Sequence, residues 1–443
     1  MKLWKRIVCA GLSAMMLLAP MQAAAAETDG AVEVVTIEAE TDLPSMWAFK
    51  EVYMAEVYGI GGEIVFNGFK TPMAAENFSV LLAQVFTLLG LEPAGIDTTD
   101  ALTRGFVINT LYKAAAEALE IDGGDALAFF LDNGLIVGNG SGDYALERVC
   151  TTQEAVVFAK RLYEHVAREL GLGSTGFLWK VTDEDSAVFL LGSVHVADYA
   201  MYPLSKAIMD AYEASAAVVV EVSASELDVQ LVSEIIMEYG FYTDGTKLVD
   251  VVGEEAYAKI VAFTTALGLA EENISNARPW YIEQILTANV AGNYTATGID
   301  MFCMLLASLD GKPVYALESA ASQIAVLASL SEEAQKTRLL ASLSETEEDM
   351  EASVKSMLAA WRDGDEEAML AILGRDEITD EASLEFYEKF NTERNAEMIE
   401  TIAQVLTENE DDVIVIVGTL HMLYEDGIVQ AMRDLGFAVE RVQ

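Results

Sequence analysis

The segment from Asp412 to His421 constrains the fold more than any other part of this chain. Its β-branched run, Val413 to Val417, is followed directly by the sequence Gly-Thr-Leu-His. Such a run predicts a strand buried on both faces, as in a parallel sheet covered by helices. The same arrangement, a buried strand and then Gly-x-x-His, occurs once more at Ala187 to His195. Two of the three histidines in the chain therefore follow predicted buried strands.

The residues after position 175 alternate predicted strands with predicted helices. The strands are predicted at Phe177 to Thr182, Ala187 to Leu191, Ala217 to Val222, Lys312 to Glu318, Val413 to Val417 and Ala438 to Val442. This alternation predicts an α/β domain over residues 175–443, with a mixed sheet covered by helices.

The preceding region, from Leu43 to Leu172, has helical periodicity instead. Apolar residues recur at helical spacing in Met73 to Leu89, Leu102 to Leu119 and Thr152 to Leu170. We therefore predict a separate, mainly helical module at 43–172. The glycine-rich segment Gly171 to Gly176 is predicted to be a hinge.

The first 26 residues have the order of a secretory signal peptide. Basic residues at the start are followed by an apolar stretch, Ile7 to Ala19, and by small residues at Ala24 to Ala26. The apolar stretch is too short for an ordinary membrane span. We expect cleavage before Glu27, a linker at 27–42, and an exported protein without a transmembrane helix in its mature form. Cys150 and Cys303 would remain, as thiols rather than as a disulfide.

The charge of the chain restricts its partners. Its 72 acidic residues outnumber its 26 basic residues, which gives a formal net charge of −46. This charge argues against nucleic acid and anionic lipid as partners. It is compatible with a solvated acidic surface, with cation-rich surroundings or with a basic substrate.

His195 and His421 are candidate ligands of a catalytic metal. Two imidazoles and one carboxylate form a common set that leaves positions open for water. Glu221 and Glu318 each end a predicted strand, so either could complete it, and zinc, manganese or cobalt would suit. We expect the glycine of each Gly-x-x-His to allow a sharp turn and a close approach to a ligand. The alternatives are that the histidines cap strands and that the carboxylates bind helix N-terminal amides.

Four further polar residues have other predicted roles. Arg394 could clamp a carboxylate, and Asn395 could orient a carbonyl or polarise an oxyanion. Asp300 could cap the helix that runs through Met304. His165 lies in the predicted helical module and is expected to be structural or exposed to solvent.

The residues from about Thr175 onwards resemble the TraB/GumN family, which includes the TIKI-type metalloproteases. The resemblance is carried by both Gly-x-x-His motifs and by further short matches in the same order: Leu178 to Val181, Tyr202 to Leu204, Val218 to Glu221, Gly298 to Asp300, Gly311 to Glu318, Trp361 to Asp365 and Arg394-Asn395. It implies an extracytoplasmic protein with a metal-dependent hydrolytic site made from the two histidines and a glutamate. Its more distant relatives resemble haem-binding proteins and antibiotic esterases. The chain departs from the family at two positions after His421. Residue 422 is Met where leucine is usual, and residue 425 is Glu instead of the family's glycine.

The helical module resembles degenerate S-layer homology repeats, which hold exported proteins on Gram-positive cell walls. Trp47-Ala48, Thr103-Arg104 and Thr151 to Glu154 lie where those repeats carry Trp-Ala and Thr-Arg-x-Glu. Of the expected arginines only Arg104 is present. The resemblance implies that Arg104 contacts the anionic wall polymer.

The sequence therefore favours an exported metal-dependent hydrolase that acts on peptides. His195 and His421 would be metal ligands, and Glu221 a ligand or general base. Glu318, Arg394 and Asn395 would support these groups or bind substrate. Two alternatives stay open: a protein that sequesters a peptide, a metal or haem without turnover, and a surface anchor with a catalytically inactive C-terminal domain.

Overall fold

A computed structural model describes residues 43–61, 68–96, 100–138, 142–183, 186–223, 229–291, 294, 296–408 and 410–443. The predicted signal peptide and the linker at 27–42 lie outside these residues. Two compact units are present. The helical unit comprises the described residues up to Ser174 together with Tyr199–Lys206, and the α/β unit comprises Thr175–Asp198 and Ala207–Gln443.

The helical unit is made of short amphipathic helices that pack around an apolar centre. The helices are α1 (Met46–Val57), α2 (Ala75–Leu88), α3 (Arg104–Ala118), α4 (Ala126–Asp132) and α5 (Thr152–Glu169). Helix α5 begins with a capping box in which Thr151 and Glu154 satisfy each other's backbone N–H groups. Tyr199–Lys206 belongs to this unit because Ser174 N donates to Pro203 O at 2.9 Å and Tyr163 Oη donates to Tyr202 O at 3.1 Å. Tyr199–Lys206 lies within the predicted bounds of the α/β domain, residues 175–443.

The α/β unit is organised around a six-stranded mixed sheet. Its strands are β1 (Phe177–Thr182), β2 (Ala187–Ser193), β4 (Ala217–Val220), β6 (Val314–Ala316), β7 (Val413–Gly418) and β8 (Ala438–Val442), in the order β6-β4-β7-β2-β1-β8. The four strands β6, β4, β7 and β2 are parallel to one another. Strand β1 pairs in the antiparallel sense with both β2 and β8. Every residue of β2, β4 and β7 is buried, as their apolar runs predict.

Helices complete the α/β unit. In chain order they are α6 (Lys206–Ala214), α7 (Val229–Tyr239), α8 (Leu248–Val252), α9 (Glu254–Ala266), α10 (Glu271–Ile274), α11 (Pro279–Ala291), α12 (Ile299–Asp310), α13 (Ala320–Ser329), α14 (Glu332–Leu343), α15 (Glu347–Asp363), α16 (Glu366–Leu373), α17 (Glu381–Tyr387), α18 (Glu393–Glu408), α19 (Thr419–Met422) and α20 (Ile428–Asp434). Several of them, including α11 and α14, form their own apolar core around the fully buried Trp280. A small sheet pairs β3 (Val196–Ala197) with β5 (Ala296–Thr297).

The predicted fold class is confirmed: a mixed sheet is covered by helices, and the N-terminal region is helical. The acidic stretch from Ser331 to Leu373 forms three helices. The first break follows Leu343, where the Thr346 hydroxyl accepts from Asp349 N and starts a new helix, and the second is at Gly364.

Cys150 and Cys303 are buried free thiols, as predicted. In the described parts of the chain, we find no helix with the length and apolar character needed to cross a membrane.

Candidate functional site

The site lies at the carboxyl edge of three adjacent parallel strands, β4, β7 and β2. Glu221 directly follows β4, and His421 lies in the short helix after β7. His195 lies two residues after the end of β2. The registers bring Ser193 beside Gly418 and Val220 beside Ile416. Because parallel strands end at a common edge, polar residues distant in sequence meet there.

His421 is held in one tautomer by its two neighbours. Its Nδ1 lies 2.6 Å from Asn395 Oδ1, and its Nε2 lies 3.3 Å from Arg394 Nη1. An amide oxygen only accepts and a guanidinium only donates, so Nδ1 carries the proton and Nε2 presents its lone pair. Burial and then the positive charge of Arg394 lower the pKa of His421 to about 3. His421 is therefore neutral at ordinary pH.

His195 is held by a carboxylate instead. Its Nδ1 donates to Asp300 Oδ2 at 2.9 Å, and the side chain is 16% exposed. Burial lowers the pKa of His195, but Asp300 and then Glu221 outweigh burial and raise the pKa to about 9. Without a bound ion, His195 is therefore a cation paired with Asp300.

The loop that carries His195 is fixed against the start of α12. Ile299 N donates to Val194 O at 2.9 Å, and Val196 pairs with Thr297. A Cβ on Gly298 would collide with the backbone of His195, so only glycine permits this approach. Asp300, two residues later, is thereby brought to the imidazole. Gly298, not Asp300, is the N-cap of this helix, and the expectation that Asp300 caps it is wrong.

Glu221 lies at the centre of the cluster and accepts three hydrogen bonds. Gly418 N donates to Oε1 at 2.6 Å, while Arg394 Nη2 and Gln323 Nε2 donate to Oε2 at 2.9 and 3.2 Å. Burial alone would raise the pKa of Glu221, but interactions with His421, Arg394 and His195 lower it to about 2. Glu221 is thus an ionised carboxylate, and its side chain is 12% exposed.

Arg394 joins the carboxylates of two strand ends. Its Nε and Nη2 donate to Glu318 and its Nη2 also donates to Glu221, at distances of 2.9–3.1 Å. Glu318 N donates to Glu221 O at 2.8 Å, which holds the two glutamates side by side. Burial raises the pKa of Glu318 despite the lowering effect of Arg394. The two carboxylates therefore differ in acidity although they share one arginine.

A π-helical turn precedes Arg394 and Asn395. It spans Glu388–Thr392, between α17 and α18. Arg394 Nη1 donates to Phe390 O at 3.0 Å within this segment, and Asn395 Nδ2 donates to Asp426 O. Both residues are at most 5% exposed, and both side chains contact His421. Wider turns of this kind are frequent at functional sites.

The two Gly-x-x-His glycines are there for close packing and not for a left-handed turn. Neither has a positive φ. A Cβ on Gly192 would lie 3.0–3.2 Å from Thr419 and Phe177, whereas a Cβ on Gly418 would lie 3.2 Å from Glu221 Oε1. At Gly418 the chain passes from β7 directly into α19 without a left-handed residue, and Gly418 lies close to the carboxylate of Glu221. The expected close approach to a ligand stays a prediction.

All six predicted site residues of the α/β unit lie in this cluster: His195, Glu221, Glu318, Arg394, Asn395 and His421. Their ligand and catalytic roles stay predictions. His165 belongs to the helical unit, where its ring packs against Phe129 and burial lowers its pKa. The prediction did not include Asp300 or Gln323 in the site. Asp300 lies in the short match Gly298 to Asp300, so the sequence held a signal for it, whereas Gln323 is one polar residue on an apolar helix.

The chemistry of the donor set fits a divalent cation. Each histidine has Nδ1 bound to an oxygen, the usual support of a metal-binding imidazole, which leaves Nε2 for the ion. A carboxylate has about four lone-pair positions, so Glu221 retains one after its three hydrogen bonds. Among the described residues, however, no three His, Cys, Asp or Glu side chains converge closely enough to hold an ion. Arg394 Nη1 lies 3.3 Å from His421 Nε2, in the space that an ion bound to this nitrogen would need.

The sequence from residue 177 to residue 441 matches the model of the TraB/PrgY/gumN family. The chain belongs to this family. The match covers more than half of the chain and contains every residue of the cluster. Searches of curated proteins and of solved structures gave no match. The resemblance of the helical unit to S-layer homology repeats stays a prediction.

Proposed function

We propose that this member of the TraB/PrgY/gumN family is a metal-dependent hydrolase that cleaves peptides. His195 and His421 would bind the ion through Nε2, and Glu221 would be the third ligand or a general base. A divalent cation at this place supplies Lewis acidity for the activation of water. Zinc, manganese and cobalt all suit two imidazoles and a carboxylate.

One observation carries this proposal: both imidazoles have Nδ1 held by an oxygen acceptor beside the same buried carboxylate. The Nδ1 contacts are 2.9 Å to Asp300 and 2.6 Å to Asn395. A histidine that only caps a strand would use its ring nitrogens on backbone groups. Here both Nδ1 partners are side chains.

The residues around the two histidines would bind substrate and hold the site side chains in position. Arg394 carries a fixed positive charge that can attract a substrate carboxylate or carbonyl. Glu318 holds the guanidinium of Arg394, and Asn395 fixes the tautomer of His421. The carboxylate of Glu221 stays ionised, so it can act as a ligand, and with a pKa of about 2 it would be a weak general base.

The test combines metal analysis with peptide cleavage. Purified protein should contain a stoichiometric divalent ion, and a chelator should abolish cleavage that zinc, manganese or cobalt restores. His195→Ala and His421→Ala should each lose most of the ion and the activity, while His165→Ala, the matched control, should lose neither. Cleavage that survives in the His195→Ala, His421→Ala double variant would refute the proposal. Bound metal without cleavage would favour sequestration, and a Soret band on haem addition would favour haem binding.

We also propose that the protein is exported and that its helical unit binds an anionic cell-wall polymer. The unit has a cavity of about 590 Å³ lined by Trp47, Arg104, Arg148 and Arg161. Arg104 is buried, pairs with Glu154 and donates to Tyr144 O. Arg148 pairs with the same glutamate, but its side chain is 49% exposed. Arg148, rather than the predicted Arg104, is thus the arginine available to a polymer.

Two measurements test this second proposal. The N-terminus of secreted protein should lie near Glu27, and an intact Met1 would refute cleavage. The protein should sediment with purified cell walls, and Arg148→Ala should weaken this without lowering stability. Arg168→Ala is the control, because Arg168 pairs with Glu164 and does not line the cavity. If Arg148→Ala and Arg168→Ala sediment equally, the cavity lined by Arg148 is not the binding site.

A further inference from the structure

We propose that Arg394 is an internal cation that stabilises the site without a metal and competes with the metal for its ligands. This inference rests on the proposed metal site. It assigns Arg394 a role in metal affinity, in addition to its suggested contact with substrate.

The first argument is the position of the guanidinium. Nη1 lies 3.3 Å from His421 Nε2, and Nη2 lies 2.9 Å from Glu221 Oε2. One edge of the guanidinium therefore faces two of the three proposed ligands. A zinc ion bound to His421 Nε2 would lie about 2.0–2.1 Å from that nitrogen. The ion and Nη1 cannot both occupy this space, so one excludes the other.

The second argument is the charge of the buried cluster. Glu221 and Glu318 meet at the ends of β4 and β6, and Asp300 lies nearby beside His195. The two glutamates are bridged by Arg394, which is only 5% exposed. Two largely buried carboxylates without a cation between them would repel each other, and Glu221 would keep only the donors Gly418 N and Gln323 Nε2. Arg394 thus supplies in the metal-free protein the positive charge that an ion would bring.

The third argument is that Arg394 has other partners. Its Nε donates to Glu318, its Nη1 donates to Phe390 O, and its guanidinium lies over the Phe390 ring at 4.7 Å. The contacts to Glu221 and His421 can therefore be lost while these remain. Metal entry requires a local shift of one side chain and no unfolding. The cost of this shift should lower the apparent metal affinity.

The experiment compares zinc affinities, measured by competition with a fluorescent chelator, in the wild type, Arg394→Gln and Arg394→Lys. Gln removes the charge, and we expect at least about tenfold tighter zinc binding, because unit charges about 4 Å apart repel strongly inside a protein. Lys keeps the charge but presents one ammonium instead of a fork, so it cannot span both ligands. The zinc affinity of Arg394→Lys should therefore lie between those of the wild type and Arg394→Gln.

Thermal unfolding gives a readout independent of activity. Without zinc, Arg394→Gln should melt below the wild type, and zinc should raise its midpoint by more degrees than it raises that of the wild type. Arg338→Gln is the control, since Arg338 is also buried and paired, with Glu283, but lies outside the cluster. That variant should lose stability and keep the wild-type zinc affinity.

The outcomes separate the two proposals. If the wild type binds zinc and Arg394→Gln binds it equally or more weakly, the competition is refuted and the metal site stands. If neither protein binds zinc, manganese or cobalt, both proposals fail. If Arg394→Gln does not fold, Arg394→Lys decides, and an affinity no higher than that of the wild type refutes the competition.

Discussion

Alanine substitutions at the two Gly-x-x-His glycines should have different consequences, a loss of stability at Gly192 and a loss of metal affinity at Gly418. Gly192 packs against the rigid Thr419 backbone and the Phe177 Cβ, where an added Cβ would lie 3.2 Å from each. Gly418 faces the end of a side chain, Glu221 Oε1, at the same distance. A flexible end can shift by a few tenths of an ångström, whereas the helix backbone at Thr419 and the Phe177 Cβ, which is fixed to its strand, cannot.

The expected magnitudes follow from these neighbours. Overpacking of a rigid site costs about 1–3 kcal/mol, and replacing glycine by alanine recovers about 0.4–1 kcal/mol from the unfolded chain. Gly192→Ala should therefore lower the free energy of unfolding by about 1–2 kcal/mol. Gly418→Ala should change it by less than about 1 kcal/mol, because φ of −50° and ψ of 138° suit alanine. It should instead displace Glu221 and weaken metal binding.

Urea unfolding followed by tryptophan fluorescence measures the stability, and chelator competition measures zinc affinity. The α/β unit contains the buried reporters Trp280 and Trp361. Equal losses of stability in the two variants would refute the distinction between backbone and side-chain neighbours. Unchanged zinc affinity in Gly418→Ala would show that the position of Glu221 does not matter for the ion.

Three further predictions concern buried polar contacts. Glu283→Ala should lower the free energy of unfolding in urea by about 3–5 kcal/mol, because it leaves Arg338 buried and unpaired. Replacing both residues by methionine should be nearly neutral. A small loss in Glu283→Ala would contradict this prediction. Trp361→Phe removes the 2.7 Å bond from Nε1 to Gly192 O and should cost about 1–3 kcal/mol, whereas an unchanged midpoint would mean that water replaces the bond. Asn395→Leu removes the acceptor of His421 Nδ1 and should weaken zinc binding about 10–100-fold, with His165→Ala as the unaffected control; equal affinities would disprove a supporting role for Asn395.

The central sheet could be predicted because its signals are local and strong. The apolar runs of β2, β4 and β7 are buried along their whole length, so each reads as a strand without knowledge of its neighbours. The rule that polar residues gather where parallel strands end then selects His195, Glu221 and His421. The short strands β3 (Val196–Ala197) and β5 (Ala296–Thr297) have two residues each, and several helices and β4 lie between them in the sequence. No sequence periodicity can reveal elements of that length.

The partners within the site could not be predicted in the same way. Asp300 reads as a helix start, and its contact with His195 depends on the tight packing of Gly298 against the loop after β2. Gln323 contacts Glu221 only because α13 returns over the sheet edge. Arg394 was predicted as a clamp, but its simultaneous contacts with two glutamates and a histidine arise from tertiary packing.

The two Gly-x-x-His motifs are equivalent in sequence but not in chemistry. An amide oxygen holds His421 and a guanidinium faces it, so that ring stays neutral, while a carboxylate holds His195 and favours its charged form. The difference comes from Asn395 and Asp300, on separate helices, and not from the motifs themselves. A neutral ring whose lone pair already faces a cation is a ready metal ligand once that cation moves, whereas His195 must first lose a proton. The spacing of the motif thus brings two imidazoles to one sheet edge, and the helices packed on that edge determine what each imidazole can do.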